Sequence, residues 1–360
     1  MEYNQISMNR IHLYPIVQAF LAALLFGASA PLSKLLLGDI EPVPLAAFLY
    51  LGSGFGILAI KLIQKIGKKK QNNEAQIKKE DFFWLVGAIL AGGVAAPIIL
   101  LFSLKNTPAS TASLLLNFES VATTLIAIIA FKEAISHRAW WAVGLITLSS
   151  ILLSLNISAG WGLSLGALGI VIACILWGID NNFTRNISAK DPLSIVTIKG
   201  LSAGSFSLIL AFSLGNSLPS LEIILYAMVL GCFCYGFSIV LFIRAMRSLG
   251  AARTSAVFGT APLAGMILSF VVFKELPGWM FFIALPLMVI GTLFLTGEEH
   301  EHRHLHSAIV HEHAHTHEDA HHFHDHNGEF VKSHSHVHSH DAIQHSHHHM
   351  PDIHHRHVHS

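Results

Sequence analysis

Apolar residues run along this chain in blocks of about twenty, and the polar ones collect between the blocks. The blocks fall at 15–37, 42–63, 82–104, 109–131 and 138–156, then at 164–184, 192–215, 221–244, 251–273 and 277–296. A lipid hydrocarbon layer of ~30 Å takes about 20 helical residues to cross. The pattern therefore predicts an all-α membrane protein of ten transmembrane helices. Arg10, the first block and Ala28-Ser29-Ala30 together imitate a cleavable leader. Pro31 directly after the would-be cleavage point, and apolar residues continuing through Leu37, favour a retained helix.

Basic residues give the direction, because inner connections hold the excess of Lys and Arg. With residues 1–14 cytoplasmic, the inner side holds fourteen, seven of them from Lys61 to Lys79. The outer side holds only Lys34, Lys105 and Lys274. Both termini are then cytoplasmic, and a bacterial inner (plasma) membrane is the expected setting.

The two halves repeat each other. Leu25-Phe26-Gly27 with Lys34 recurs as Leu176-Trp177-Gly178 with Arg185, at an offset of 151 residues. Ser103-Leu104-Lys105 before Ala109-Ser110-Thr111-Ala112-Ser113 recurs as Ala245-Met246-Arg247 before Ala251-Ala252-Arg253-Thr254-Ser255, at an offset of 142. Phe131-Lys132-Glu133 recurs as Phe273-Lys274-Glu275 at the same offset. The units are 15–156 and 162–296, and an odd number of spans in each makes them two inverted five-helix repeats. Inverted repeats around a midplane site are a design of secondary transporters.

Composition agrees with lipid: 52% of the 360 residues are hydrophobic and 12% charged, against roughly 25% charged in a soluble domain. The formal net charge is zero, and no basic face invites nucleic acid. Cys174, Cys232 and Cys234 all lie in apolar blocks and predict no disulfide framework.

On these residues the chain resembles the EamA family of the drug/metabolite transporter superfamily over about 15–297. That family opens each repeat on an aromatic-glycine pair followed by a basic residue, as Phe26-Gly27 with Lys34 and Trp177-Gly178 with Arg185 do here. Asn117-Phe118-Glu119-Ser120 with Glu133 resembles its fourth-helix step, with Ser120 where proline is usual; Ala261-Pro262 keeps the proline and lacks the glutamate. The resemblance implies a carrier exporting a small metabolite, amino acid or drug-like solute by alternating access. It names no cargo.

Ionisable residues inside spans are costly, of order 2.5–3.5 kcal/mol at the centre, and tend to be functional. Glu119 stands near the middle of the fourth block with Thr123 on its face; it binds a cationic group, takes a coupling proton, or is a paired structural acid. A second stripe, Ser110, Ser113, Asn117, Ser120 and Thr124, points away and matches Ala252, Ser255, Gly259 and Pro262 in the second repeat. Small residues and hydroxyls in a stripe suit helix packing, so the stripe is assigned to packing and Glu119 to the cavity. Asp180 and Lys199 are expected either as an ion pair gating the cytoplasmic side with Asn181 and Trp177, or as unrelated interfacial charges. Lys34, Arg185, Glu133 and Glu275 are expected as anchors at helix ends. Tyr50, Trp177 and Tyr235 line a cavity or simply pack.

After Thr296 the composition changes: residues 300–360 hold 24 of the 26 histidines. No apolar periodicity supports a core, so 297–360 is expected to be a disordered cytoplasmic tail. Imidazole suits Zn, Ni, Co and Cu. His302, His304, His306, His311, His313, His315, His317, His334, His336, His338 and His340 are the candidate ligands. The tail then buffers or senses metal, responds to pH, or drifts without function.

No cofactor is required by the spans, which hold no nucleophile with its base and no histidine. The expected partners are the bilayer, a small-molecule solute and transition metal ions at the tail. Export of a metal or metal chelate, or a metal-sensing scaffold without transport, are the competing functions.

Overall fold

The computed structural model describes residues 2–66, 74–131, 137–156, 162–274 and 278–296, and four tail segments at 300–305, 309–315, 334–340 and 344–349. Helices α1 (Glu2–Gly27) and α2 (Ser29–Leu36) share one span, separated at Ala28, and α3 (Pro42–Ile66) follows. The first helix begins well before residue 15, so the apolar block is its membrane part and not its whole length. A 3-10 turn (Lys79–Asp81), α4 (Phe82–Ala88), a π-helical segment (Ile89–Ala95) and α5 (Ala96–Lys105) make one further span. Next come α6 (Ala109–Leu115), α7 (Phe118–Phe131) and α8 (His137–Ser154). Strand β1 (Leu155–Asn156) pairs antiparallel with β2 (Gly162–Leu163).

The second set is α9 (Leu165–Ile187), α10 (Pro192–Ser213), α11 (Leu221–Leu230), a π segment (Gly231–Phe237), α12 (Ser238–Phe258), α13 (Ala261–Phe273) and α14 (Trp279–Thr296). The two π segments begin at Ile89 and Gly231, which is again an offset of 142 residues. Although α12 is one helical run, it doubles back: the Phe242 and Phe258 rings are 4.7 Å apart, where sixteen residues of straight helix would span about 24 Å.

Seven helical spans among the described residues are long and apolar enough to cross a membrane: Tyr14–Leu36, Pro42–Ile66, Lys79–Lys105, Ala109–Ala130, Leu165–Ile187, Pro192–Ser213 and Leu221–Met246. Trp140–Leu153, Ala261–Phe273 and Trp279–Phe294 are apolar but shorter. Phe83, Ile129, Trp141, Ile209, Val271 and Phe282 are all more than half exposed, the outward face that a lipid-facing bundle needs. Close approach inside the bundle depends on small residues; a β-carbon on Gly200 of α10 would lie 2.5 Å from Gly54 N of α3.

Local chemistry places the ends. Ser164, Asp191 and Ser220 accept from the backbone N–H of Ala167, Leu193 and Ile223, capping α9, α10 and α11. At one end of the bundle Lys61 pairs with Asp191 at 3.0 Å and Lys190 with Asp81 at 3.4 Å, joining the end of α3, the turn before α4 and the α9–α10 turn. At the opposite end Lys105 pairs with Glu41 at 2.8 Å. There Lys34 donates to Thr107 O and lies 5.8 Å from the Phe273 ring centroid. Consecutive spans thus run in alternating directions.

In the tail, expected without structure, strand β3 (His300–Leu305) pairs antiparallel with β6 (Gln344–His349), and β4 (Ile309–His315) with β5 (His334–His340). Histidine at every second position matches the two-residue period of a strand. The register sets His302 against His347, His304 against His345, His311 against His338, His313 against His336 and His315 against His334. His306, His317, Glu133 and Glu275 lie outside the described residues.

Candidate substrate site

Helix α7 starts after an interruption at Leu116–Asn117 and carries Glu119 in its first turn. Ten residues from Ala109 put Glu119 about 15 Å along its span, halfway through a ~30 Å layer. Asn181 of α9 donates through Nδ2 to Glu119 Oε1 at 2.7 Å and to Thr123 Oγ1 at 3.2 Å. Asn182, the next residue, donates to Thr123 O at 3.0 Å, so α7 and α9 are stitched together at this level.

Next to Asn181 in α9, Asp180 forms a hydrogen-bonded ion pair with Lys199 of α10, each residue 5% exposed. Thr184 Oγ1 donates to the second carboxylate oxygen of Asp180 at 3.0 Å. An ion pair this buried is tolerated only when its remaining lone pairs are also satisfied.

The π segment Ile89–Ala95 packs against this pair. A π turn widens the helix by one residue and is a recurrent feature of functional sites. Gly92 O here accepts two hydrogen bonds, from Tyr50 OH at 2.6 Å and from Trp177 Nε1 at 3.0 Å. A β-carbon on Gly92 would sit 2.0 Å from Asp180 Oδ2, so glycine is what lets this backbone reach the carboxylate. Sequence reasoning missed Gly92; the pair Gly92-Gly93 in mid-span was its one visible trace.

These groups line a cavity of about 560 Å³ of atom-free space, its mouth included. Glu119, Asp180, Asn181, Lys199, Tyr50, Trp177 and Tyr235 all face it, with Phe26, Phe258 and Phe242 among the other walls. Thr123 does not line it and reaches it only by its hydrogen bond with Asn181. Phe26 is the hub of the aromatic wall, with ring centroids 5.7 Å from Trp177, 6.0 Å from Tyr235 and 5.1 Å from Phe258. The Tyr235 hydroxyl lies toward Ser29 and Ser33 and makes no well-formed hydrogen bond. Phe26 and Phe258 were not singled out as wall residues, because an apolar ring in an apolar helix carries no distinguishing signal.

The cavity holds two carboxylates, Glu119 and Asp180, against one cation, Lys199. Lys199 is committed to Asp180, and the hydrogen bond to Glu119 comes from a neutral amide. The Glu119 carboxyl group therefore has no fixed counter-ion, and it is surrounded by aromatic faces that favour cations. Among the described residues no group of three His, Cys, Asp or Glu side chains is placed to hold a metal ion.

The serine stripe needs a correction. Ser113, Asn117 and Ser120 pack toward α13 and α14, but they also line a second, smaller cavity that shares Glu119 with the first. The two faces were separated on the assumption of a straight helix, and the break at Leu116–Asn117 removes that assumption.

The described residues thus form a multi-pass helical bundle around a polar, aromatic-walled cavity. The chain belongs to the EamA-like transporter family, which matches residues 13–155 and again 164–297, and is a membrane transporter of the drug/metabolite type. It is 28% identical over 277 residues to an uncharacterized transporter of Methanothermobacter thermautotrophicus, covering 73% of this chain and 80% of that protein. A crystal structure with 19% sequence identity has a TM-score of 0.59 over 78% of this chain and 95% of its own, a likeness of fold.

Proposed function

We propose that the protein is a ten-span secondary active exporter that moves a small solute bearing a positive charge, by alternating access around Glu119. The observation that carries this reading is the uncompensated Glu119 carboxylate at mid-depth inside an aromatic cavity. A protonated amine there meets one anionic oxygen pair and several ring faces; with no solute bound, the same carboxylate takes a proton. The Asp180–Lys199 pair lies in the cavity wall, and on this reading its opening and closing gates the side marked by Lys61 and Asp191.

Two structural relations support inverted units. The π segments recur at the repeat offset of 142 residues. The first span of the first unit ends where Lys34 meets Thr107, whereas α9 ends at the opposite face, beside Lys190 and Asp81. The excess of basic residues on the Lys61 side makes that face cytoplasmic. The tail then lies in the cytoplasm, where facing histidines in its paired strands buffer or sense Zn, Ni, Co or Cu.

Counterflow in vesicles tests the assignment. Amines, amino acids and neutral metabolites are loaded in turn, guided by the growth defects of a deletion strain. At least one cationic solute should exchange, and Glu119→Gln should abolish that exchange. Unaltered exchange of the same solute by Glu119→Gln would refute the role given to Glu119.

A further inference from the structure

Three helices are interrupted at one level of the bundle: at Ala28 between α1 and α2, at Leu116–Asn117 between α6 and α7, and at Gly259–Thr260 between α12 and α13. The interruptions touch. A β-carbon on Gly27 would lie 2.1 Å from Ala261 O, and one on Gly265 would lie 2.4 Å from Gly27 O and 2.9 Å from Ser113 Oγ. Between them is the smaller cavity, about 330 Å³ of atom-free space with its mouth, which Ser113, Asn117 and Glu119 line.

Two of the polar atoms there lack partners. Asn117 is 3% exposed and Ser113 1%, yet Asn117 Oδ1 and Ser113 Oγ receive no hydrogen bond among the described residues. The amide orientation of Asn117 is fixed by its neighbour. Thr292 Oγ1 spends its proton on Met288 O at 2.9 Å, so it must accept from Asn117 Nδ2, also at 2.9 Å. The amide therefore turns its NH₂ to α14, leaving an acceptor oxygen. Burying an acceptor without a donor is costly. Glu119 brings two further carboxyl oxygens to the same cavity. A small cation finds hard oxygens here, the ligands that alkali ions take at broken helices in transporters.

We infer that this cavity is a binding site for a small monovalent cation of the size of Na⁺, coordinated by Asn117 Oδ1, Ser113 Oγ and the Glu119 carboxylate. Because Glu119 lines both cavities, a cation here neutralises the group that the larger cavity offers to a solute. Occupancy of the two sites is then antagonistic. The assignment rests on the acceptor geometry at the interruptions and stands whether or not the transported solute is cationic.

Binding of ²²Na⁺ to the purified full-length protein in detergent, at constant ionic strength with N-methyl-D-glucamine as the replacement cation, tests it. Saturable binding of one ion per chain is expected, weakened about tenfold or more by Ser113→Ala and by Asn117→Ala. Ser207→Ala removes another buried, unpartnered hydroxyl away from the cavity and should leave binding unchanged. Ser113→Ala deletes a single oxygen, so it keeps the test decisive should Asn117→Ala fail to fold. Absence of saturable ²²Na⁺ binding would mean that water alone satisfies these oxygens and would overturn the site. Equal binding by wild type and Ser113→Ala would overturn the ligand assignment.

Discussion

Breaking the Asp180–Lys199 pair from one side should be far more harmful than removing both charges. Asp180→Asn keeps shape and still offers an oxygen to Thr184, but it strands the Lys199 ammonium in a position 5% exposed. Lys199→Met strands the carboxylate instead. An uncompensated buried charge costs about 3–5 kcal/mol, whereas replacing a whole buried pair by groups of similar volume is often neutral or better. Each single variant should therefore lose about 3–5 kcal/mol, and the double variant less than either single, which requires a coupling of about 3 kcal/mol or more. At ~2–4 °C per kcal/mol, the singles should melt roughly 6–20 °C lower in a thermal unfolding assay in detergent. Additive losses, or singles within ~0.5 kcal/mol of wild type, would refute the view that the two charges hold each other in the interior.

Three further outcomes follow from other contacts. Gly92→Ala puts a β-carbon 2.0 Å from Asp180 Oδ2 and should lose about 1–3 kcal/mol by overpacking. Gly144→Ala meets nothing within 4 Å and should gain up to about 1 kcal/mol by helix propensity; equal melting of the two variants would contradict the packing. At the Lys61 end of the bundle, burial alone would raise the Asp191 carboxyl, but hydrogen bonds from Ser194 and Lys61 outweigh it and hold the group below the usual carboxylate range. A depressed carboxyl supports the fold above its unfolded value of ~3.9 and withdraws that support as pH falls through the folded value. The Asp191 amide, bonded to Ala75 O at 3.0 Å, should stay protected from hydrogen exchange at neutral pH and open only below about pH 4. Lys61→Ala should move that onset upward, and an unmoved onset would show that Lys61 does not set it. Removing residues 298–360 should abolish micromolar zinc and nickel binding in calorimetry while leaving counterflow intact; binding retained by the truncated chain would locate the metal site elsewhere.

The spans were legible because lipid imposes a length and an apolar composition that no other environment demands. Glu119, Asp180 and Lys199 were legible for the same reason, since a charge in such a block stands out. What pattern could not give was where helices depart from regular geometry. The π segment around Gly92 is apolar and in phase with its neighbours, and its effect, a carbonyl shared by Tyr50 and Trp177, exists only once three spans meet. The break at Leu116–Asn117 likewise turned two faces judged to be apart into walls of adjoining cavities. Thr123, chosen because it follows Glu119 by one turn, is in reach of Asn181 but not of the cavity. In the tail, composition pointed to an unordered chain, and the strand pairing follows from the alternation of histidine with other residues.

The carbonyl of Gly92 offers a native optical probe. Its bond from Tyr50 stays within the region 13–155, whereas its bond from Trp177 reaches across from 164–297. A motion of one region against the other must stretch the second bond and can spare the first. Indole fluorescence and the Raman modes of its N–H respond to that bond, so Trp177 reports any motion of one region against the other without an attached dye, once the five other tryptophans are replaced.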